Sequence, residues 1–145
     1  MYISVTDTKN IRRFTIKTAV AYFAVTLVCV SIANIYAIFG HGVRSDSMDY
    51  MFLYPLIGGA GFFVALTLLM PVLPDNLRYI SRAGYNSYNS AIASLTTAAM
   101  LAGIVEIAGT SAIWVIYIKT AGIVLLFAAV LFQTRVICQK RKKIP

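Results

Sequence analysis

Four stretches of about 20 apolar residues divide this chain, and they constrain its fold more than any other feature. The predicted spans cover residues 18–39, 51–70, 90–109 and 113–132. A helix needs about 20 predominantly apolar residues to cross the hydrocarbon core of a bilayer. The sequence therefore predicts an all-α fold, in which residues 1–145 form a single transmembrane domain built as a four-helix bundle.

The composition excludes the two other broad classes of protein. Of the 145 residues, 59% are hydrophobic and 12% are charged, and the mean hydropathy is +0.77. A typical soluble domain has about 25% charged residues, and a chain this short has too little interior to hide so much apolar surface from water. The same apolar content excludes an intrinsically disordered chain.

The basic residues predict how the spans are oriented. Thirteen Lys and Arg against five Asp and Glu give a formal net charge of +8. Lys and Arg are enriched on the cytoplasmic side of membrane proteins. Eleven of them lie on the side of the N-terminus, whereas Arg44 and Lys119 lie on the other side. Both termini are therefore predicted to be cytoplasmic, in a multi-pass protein of the cell membrane.

The position of the basic residues also predicts a partner. They cluster beside the apolar spans, where each Lys or Arg contributes about 1 kcal/mol of attraction to anionic lipid. They do not alternate with aromatic residues, as a groove for single-stranded nucleic acid requires. The predicted partner is thus the anionic surface of the bilayer and not nucleic acid. The candidate headgroup contacts are Arg78, Arg82 and four residues of the basic tail 135–145, namely Lys140, Arg141, Lys142 and Lys143.

The connecting segments carry weaker signals. Residues 41–50 join the first two spans, and Asp49 is predicted to cap the second helix because its carboxylate can accept from free N–H groups. Pro74 and Asp75 are predicted to open a short interfacial helix that ends near Ser81.

Small residues predict which spans lie inside. Helices in lipid associate through close packing of small side chains. The second span contains Gly58, Gly59 and Gly61, and the third contains the pair Ala99 and Gly103. Spans two and three are therefore predicted to contact other helices, while spans one and four face more lipid. Packing within one chain and a homodimer face both fit this pattern.

The inventory of reactive residues argues against catalysis and cofactors. His41 is the one histidine, and it lies in a loop. Zinc needs three or four convergent ligands, and haem in a bundle needs axial ligands from facing helices. Cys29 and Cys138 lie at different predicted depths, too far apart for a disulfide. The sequence contains no Gly-x-Ser-x-Gly or phosphate-binding motif. We therefore predict no catalytic residue, no metal and no cofactor.

Two ionisable residues inside the spans are the best functional clue. Glu106 lies near one end of the third span, and Lys119 lies in the fourth. Ionisable residues in spans are costly and mark either a structural pair or a transport pathway. The turn near Thr110 makes the two spans antiparallel neighbours, so one hypothesis is an ion pair between Glu106 and Lys119. In the other, Lys119 reaches the headgroups, which leaves Glu106 for transport or for Arg44.

Three functional hypotheses remain open at this point. The leading one is a non-enzymatic accessory subunit or self-associating membrane protein, because no catalytic constellation is present. The second is a small transporter or channel that uses Glu106, with Asn34, Ser94 and Thr97 as its polar lining. In the alternative interpretation, the third span carries a stripe of hydroxyls that bond the carbonyls of their own helix, and the stripe consists of Ser87, Ser90, Ser94 and Thr97.

The third hypothesis is a lipid-handling enzyme. It would use Arg78 and Arg82 to hold a headgroup phosphate, since the guanidinium group makes bidentate contacts with phosphate.

Overall fold

A computed structural model describes residues 8–72 and 80–141, and all regular structure within those residues is helical. The described residues contain four helical segments that are long and apolar enough to cross a membrane, which confirms the prediction of an all-helical fold with four such segments. The elements are α1 (Thr8–Phe39), α2 (Asp46–Asp49), a π-helix π1 (Tyr54–Gly61), α3 (Phe62–Leu69), α4 (Arg82–Ile107) and α5 (Trp114–Arg141).

The helices extend beyond the apolar segments that predicted them. The third helix begins at Arg82 rather than near Ser90. Ser81 precedes it in an extended conformation, and its hydroxyl accepts from the Gly84 N–H at 3.2 Å. This N-cap satisfies a first-turn donor, so the helix starts where capping is possible rather than where the chain becomes apolar. Most of the interfacial helix predicted before Ser81 lies outside the described residues.

The second span is not a single α-helix. One turn of α2 is followed by a turn, by π1 and then by α3. Pro55 has no N–H to complete an α-helical pattern, and it lies at the start of π1. Gly58 and Gly59 follow. A Cβ on Gly59 would overlap the ring of Tyr22, and one on Gly58 would lie 2.7 Å from Cδ1 of Ile92. The glycines thus let the second span fit closely between α1 and α4.

The second span packs against both α1 and α4, and α1 also reaches α4 directly through the side chains of Thr18 and Tyr22. Among the described elements, α5 packs against α4 alone. Gly84 and Gly122 bring α4 and α5 together, because each leaves little room for a Cβ against the other helix. The buried share of the apolar window is 22% and 28% for spans two and three, against 17% and 11% for spans one and four. This order agrees with the one that the small residues predict.

Candidate functional site

The carboxylate of Glu106 is held at the end of α4 by two serine hydroxyls. Ser47 donates to Oε1 at 2.7 Å, and Ser45 donates to Oε2. Both serines belong to the segment that opens the second span, so Glu106 links the end of α4 to that segment. Hydrogen bonds to an ionised group are stronger than those between neutral groups. We call Glu106, Ser45 and Ser47 the carboxylate clamp.

Ser45 has a second role in the clamp. Its backbone is extended, and its Oγ accepts from the N–H of Met48 at 3.4 Å, which makes it the N-cap of α2. A hydroxyl offers one donor and two acceptor positions, so Ser45 can cap α2 and donate to Glu106 at once. The prediction that Asp49 caps the helix of the second span is wrong: Asp49 is the last residue of α2, and π1 follows Leu53 without a side-chain cap.

A close contact one turn along α4 sets the position of the clamp. Gly103 and Glu106 lie three residues apart and hence on the same side of the helix. A Cβ on Gly103 would overlap Cβ of Met48 and lie 2.9 Å from its backbone N. Met48 and Met51 are each 1% exposed and pack with buried Cys29 of α1. Gly103 therefore lets α2 lie directly on α4, where its serines reach Glu106.

The structure does not bring Glu106 and Lys119 together as an ion pair. Both carboxylate oxygens face α2, whereas Lys119 lies on the exposed surface of α5. Within residues 8–72 and 80–141, the one ion pair joins Arg44 Nη1 to Asp49 Oδ2 at 3.5 Å. Arg44 is 58% exposed, so this pair contributes little stability.

The other polar residues predicted as a lining do not form hydrogen bonds with one another. Asn34 is exposed on α1 and donates from Nδ2 to the Val30 carbonyl at 2.8 Å. Ser94 is half-buried and Thr97 is exposed on α4. Neither hydroxyl bonds to a carbonyl of its own helix, in contrast to Thr96, which donates to Ile92 at 2.8 Å. The alternative interpretation of these two hydroxyls is therefore not supported.

The candidate headgroup residues are only partly described. Arg82 is exposed in the first turn of α4, and Lys140 and Arg141 belong to the last turn of α5. Arg78, Lys142 and Lys143 lie outside the described residues.

A line of hydroxyl contacts, which sequence reasoning missed, joins α1, the second span and α4. We call it the hydroxyl seam. On α1 its members are three or four residues apart, and on α4 Tyr88 and Asn89 lie three and four residues after Tyr85, which places them on one face of each helix. That spacing is the sequence signal from which the seam could have been predicted. The contacts are Thr67 to Thr15 at 2.8 Å, Thr18 to Tyr85 at 3.2 Å, Tyr22 to Asn89 Oδ1 at 2.6 Å, and Tyr88 to the Gly58 carbonyl.

The hydroxyl seam is packed rather than open. The rings of Tyr22 and Phe63 stack with their centroids 5.9 Å apart, and the ring centroids of Phe62 and Tyr88 are 4.7 Å apart. In the described part of the chain, every buried side-chain nitrogen and oxygen has a hydrogen-bond partner. The Tyr88 hydroxyl also donates to a carbonyl of π1, a segment in which the backbone hydrogen bonds follow the π-helical pattern instead of the α-helical one. The seam therefore holds three spans together and leaves no buried polar group free to line a path.

The described residues form an apolar groove and contain no cluster of metal ligands. An apolar groove of about 330 Å³ lies between α1 and α3, with Ile16, Val20, Val64 and Leu68 among its walls. No group of three or more His, Cys, Asp or Glu side chains in residues 8–72 and 80–141 could hold a metal ion.

The comparisons with known proteins give no match. No protein-family model, no curated protein and no solved structure matches this chain.

Proposed function

We propose that this chain is an integral membrane protein with both termini in the cytoplasm, and that it acts without catalysis, as an accessory subunit or a self-associating protein. Its faces on α1, α3 and α5 carry many exposed large hydrophobic side chains, which suit contact with lipid or with other membrane helices. The working surfaces of such a protein are its helix faces rather than a substrate cavity.

The carboxylate clamp is the observation that carries this proposal. A glutamate that moves a proton or an ion must exchange its partners for the transported species along a pathway. Here both carboxylate oxygens of Glu106 accept hydrogen bonds, one from the hydroxyl of Ser45 and one from the hydroxyl of Ser47. Met48 of α2 is fully buried and packs against Gly103 of α4. Gly103 lies on α4 between Glu106 and the residues of the hydroxyl seam. The charge of Glu106 thus supports the attachment of α2 better than it supports transport.

A flux measurement tests this proposal against the transporter hypothesis. We expect liposomes containing the wild-type chain or Glu106→Gln to lose an imposed proton gradient at the same rate as protein-free liposomes, with or without a membrane potential. Native mass spectrometry of the wild type in lipid discs is expected to show complexes containing more than one protein chain. A wild-type flux that Glu106→Gln abolishes would contradict the proposal.

The proposed orientation is tested by cysteine accessibility. In a background with Cys29→Ala and Cys138→Ser, we expect a membrane-impermeant thiol reagent added outside cells to label Asp46→Cys and not Lys143→Cys. The physical reason is the enrichment of Lys and Arg on the side of the termini. Labelling of Lys143→Cys from outside, without labelling of Asp46→Cys, would reverse the orientation. Labelling of both after permeabilisation is the control for reactivity.

A further inference from the structure

The exposed side of α4 differs from the exposed sides of the other long helices. Its middle portion carries three polar residues and one alanine at intervals of four, three and four residues, which places them on one helix face. All four are exposed. We call this surface the open polar face, and it consists of Asn86, Ser90, Ala93 and Thr97.

The contrast with the rest of the surface is sharp. Among the described residues, the exposed large hydrophobic side chains belong to α1, the second span, α5 and the segments that connect the helices, and none belongs to α4. On α1 and α5 they include Val28 at 56% exposure and Val124 at 60%. A helix face that meets lipid is expected to be apolar, because lipid cannot satisfy polar groups. The open polar face lacks that character.

The polar groups on this face also lack partners within the chain. In the part that the structure describes, the side chains of Asn86, Ser90 and Thr97 make no hydrogen bond. Exposed hydroxyls elsewhere do bond to their own helix, as Ser31 does to the Leu27 carbonyl at 2.9 Å and Thr120 to the Ile116 carbonyl at 2.7 Å. An unpaired polar group in an apolar environment costs free energy. A covering surface with donors and acceptors would remove that cost.

We propose that the open polar face is covered by the same face of a second copy of this chain, with α4 packed against α4. This proposal rests on the proposed function and names the surface and the partner. The interval of four, three and four residues is the repeat along which parallel helices pack side by side. Ser90 and Ala93 are small enough to let the two backbones approach closely.

Hydrogen-bond complementarity identifies the second copy as the occupant. Two copies inserted in the same orientation have parallel α4 helices, and a two-fold axis between them brings each residue to its own counterpart at the same depth. Hydroxyls and carboxamides each carry both a donor and an acceptor. Ser90, Thr97 and Asn86 can therefore pair with themselves across such an axis. A partner of another sequence would need a matching polar residue at each of these levels.

Disulfide cross-linking in the full-length protein tests the proposal. In the Cys29→Ala, Cys138→Ser background, Ala93→Cys lies on the open polar face near the middle of its span. Val28→Cys on α1 and Val124→Cys on α5 lie near the middle of theirs and serve as matched controls. In vesicles at low protein density, oxidation is expected to yield at least ten times more cross-linked dimer for Ala93→Cys than for either control.

A second measurement uses the polar residues themselves. We expect the double variant Ser90→Leu, Thr97→Leu to reduce the dimeric fraction at least tenfold in single-molecule photobleaching, whereas Thr120→Leu on the exposed surface of α5 leaves it unchanged. All three positions are exposed, so the monomer fold is not at risk.

The outcomes separate this proposal from the proposed function. Preferential cross-linking at Val28→Cys or Val124→Cys would overturn the assignment of the face, while self-association itself would still support the proposed function. A monomer at every density tested would overturn the second copy as the occupant. If that monomer also conducts a Glu106-dependent flux, the proposed function fails as well.

Discussion

Replacing Gly103 with valine is expected to lower the free energy of unfolding by about 3 kcal/mol, the upper part of the usual range for overpacking. The new side chain would overlap Cβ of Met48 and crowd its backbone N, which lies 2.9 Å from the position of the Cβ. Backbone atoms cannot rotate away as a side chain can. The whole of α2 must therefore move off α4, and that movement separates Ser45 and Ser47 from Glu106.

Unfolding by SDS in bicelles, followed by circular dichroism, measures this effect. The matched control is Ala83→Val, which adds a β-branched side chain at an exposed position of the same helix. We expect the control to change the free energy of unfolding by less than about 0.5 kcal/mol, as surface substitutions usually do. Equal effects of the two substitutions would show that Gly103 has no special role in the docking of α2.

The number of helices long and apolar enough to cross a membrane could be predicted from the sequence, because each of them is marked by a stretch of about 20 apolar residues. The limits of the helices could not, because they depend on local capping. Ser81 starts α4 at Arg82, before the apolar stretch begins. The interruption of the second span had a visible signal in Pro55 and the glycines that follow it, but the close contacts of Gly59 with α1 depend on packing between distant segments.

Of the candidate site, the sequence could predict the carboxylate but not the residues that bind it. The cost of a charge in a span singles out Glu106 from the sequence alone. Its partners could not be found that way, because Ser45 is 61 residues away in the chain and no local rule says which loop folds over the end of α4. Lys119 was the predicted ion-pair partner of Glu106 across the hairpin, but it lies on the exposed surface of α5.

A second energetic consequence of the structure is that Glu106 and Ser45 act as a unit. Removing the carboxylate with Glu106→Ala is expected to destabilise the protein by about 1.5 kcal/mol. This is the lower end of the range for hydrogen bonds to a charged group, because Glu106 is exposed to solvent. Ser45→Ala removes one of these bonds and the cap of α2 together. In the double variant, the bond between the two residues is already absent, so the two losses are not additive.

A matched serine separates this effect from a general loss of hydroxyls. Ser31 is exposed on α1 and donates to the Leu27 carbonyl of its own helix. Ser31→Ala is therefore expected to add to Glu106→Ala within about 0.5 kcal/mol, as independent sites do. Ser47→Ala, which removes the second donor to Glu106, is expected to couple to Glu106→Ala as Ser45→Ala does.

The double-mutant cycle on Glu106 tests most directly the claim that this carboxylate is a structural anchor and not a transport group. The measured quantity is the coupling between Glu106→Ala and each of Ser45→Ala and Lys119→Met in the free energy of unfolding. The structure predicts about 1 kcal/mol of coupling with Ser45, within the usual range for residues in direct contact and in its lower part because Glu106 is exposed, and additivity with Lys119. Additivity with Ser45, together with a coupling to Lys119, would contradict the account.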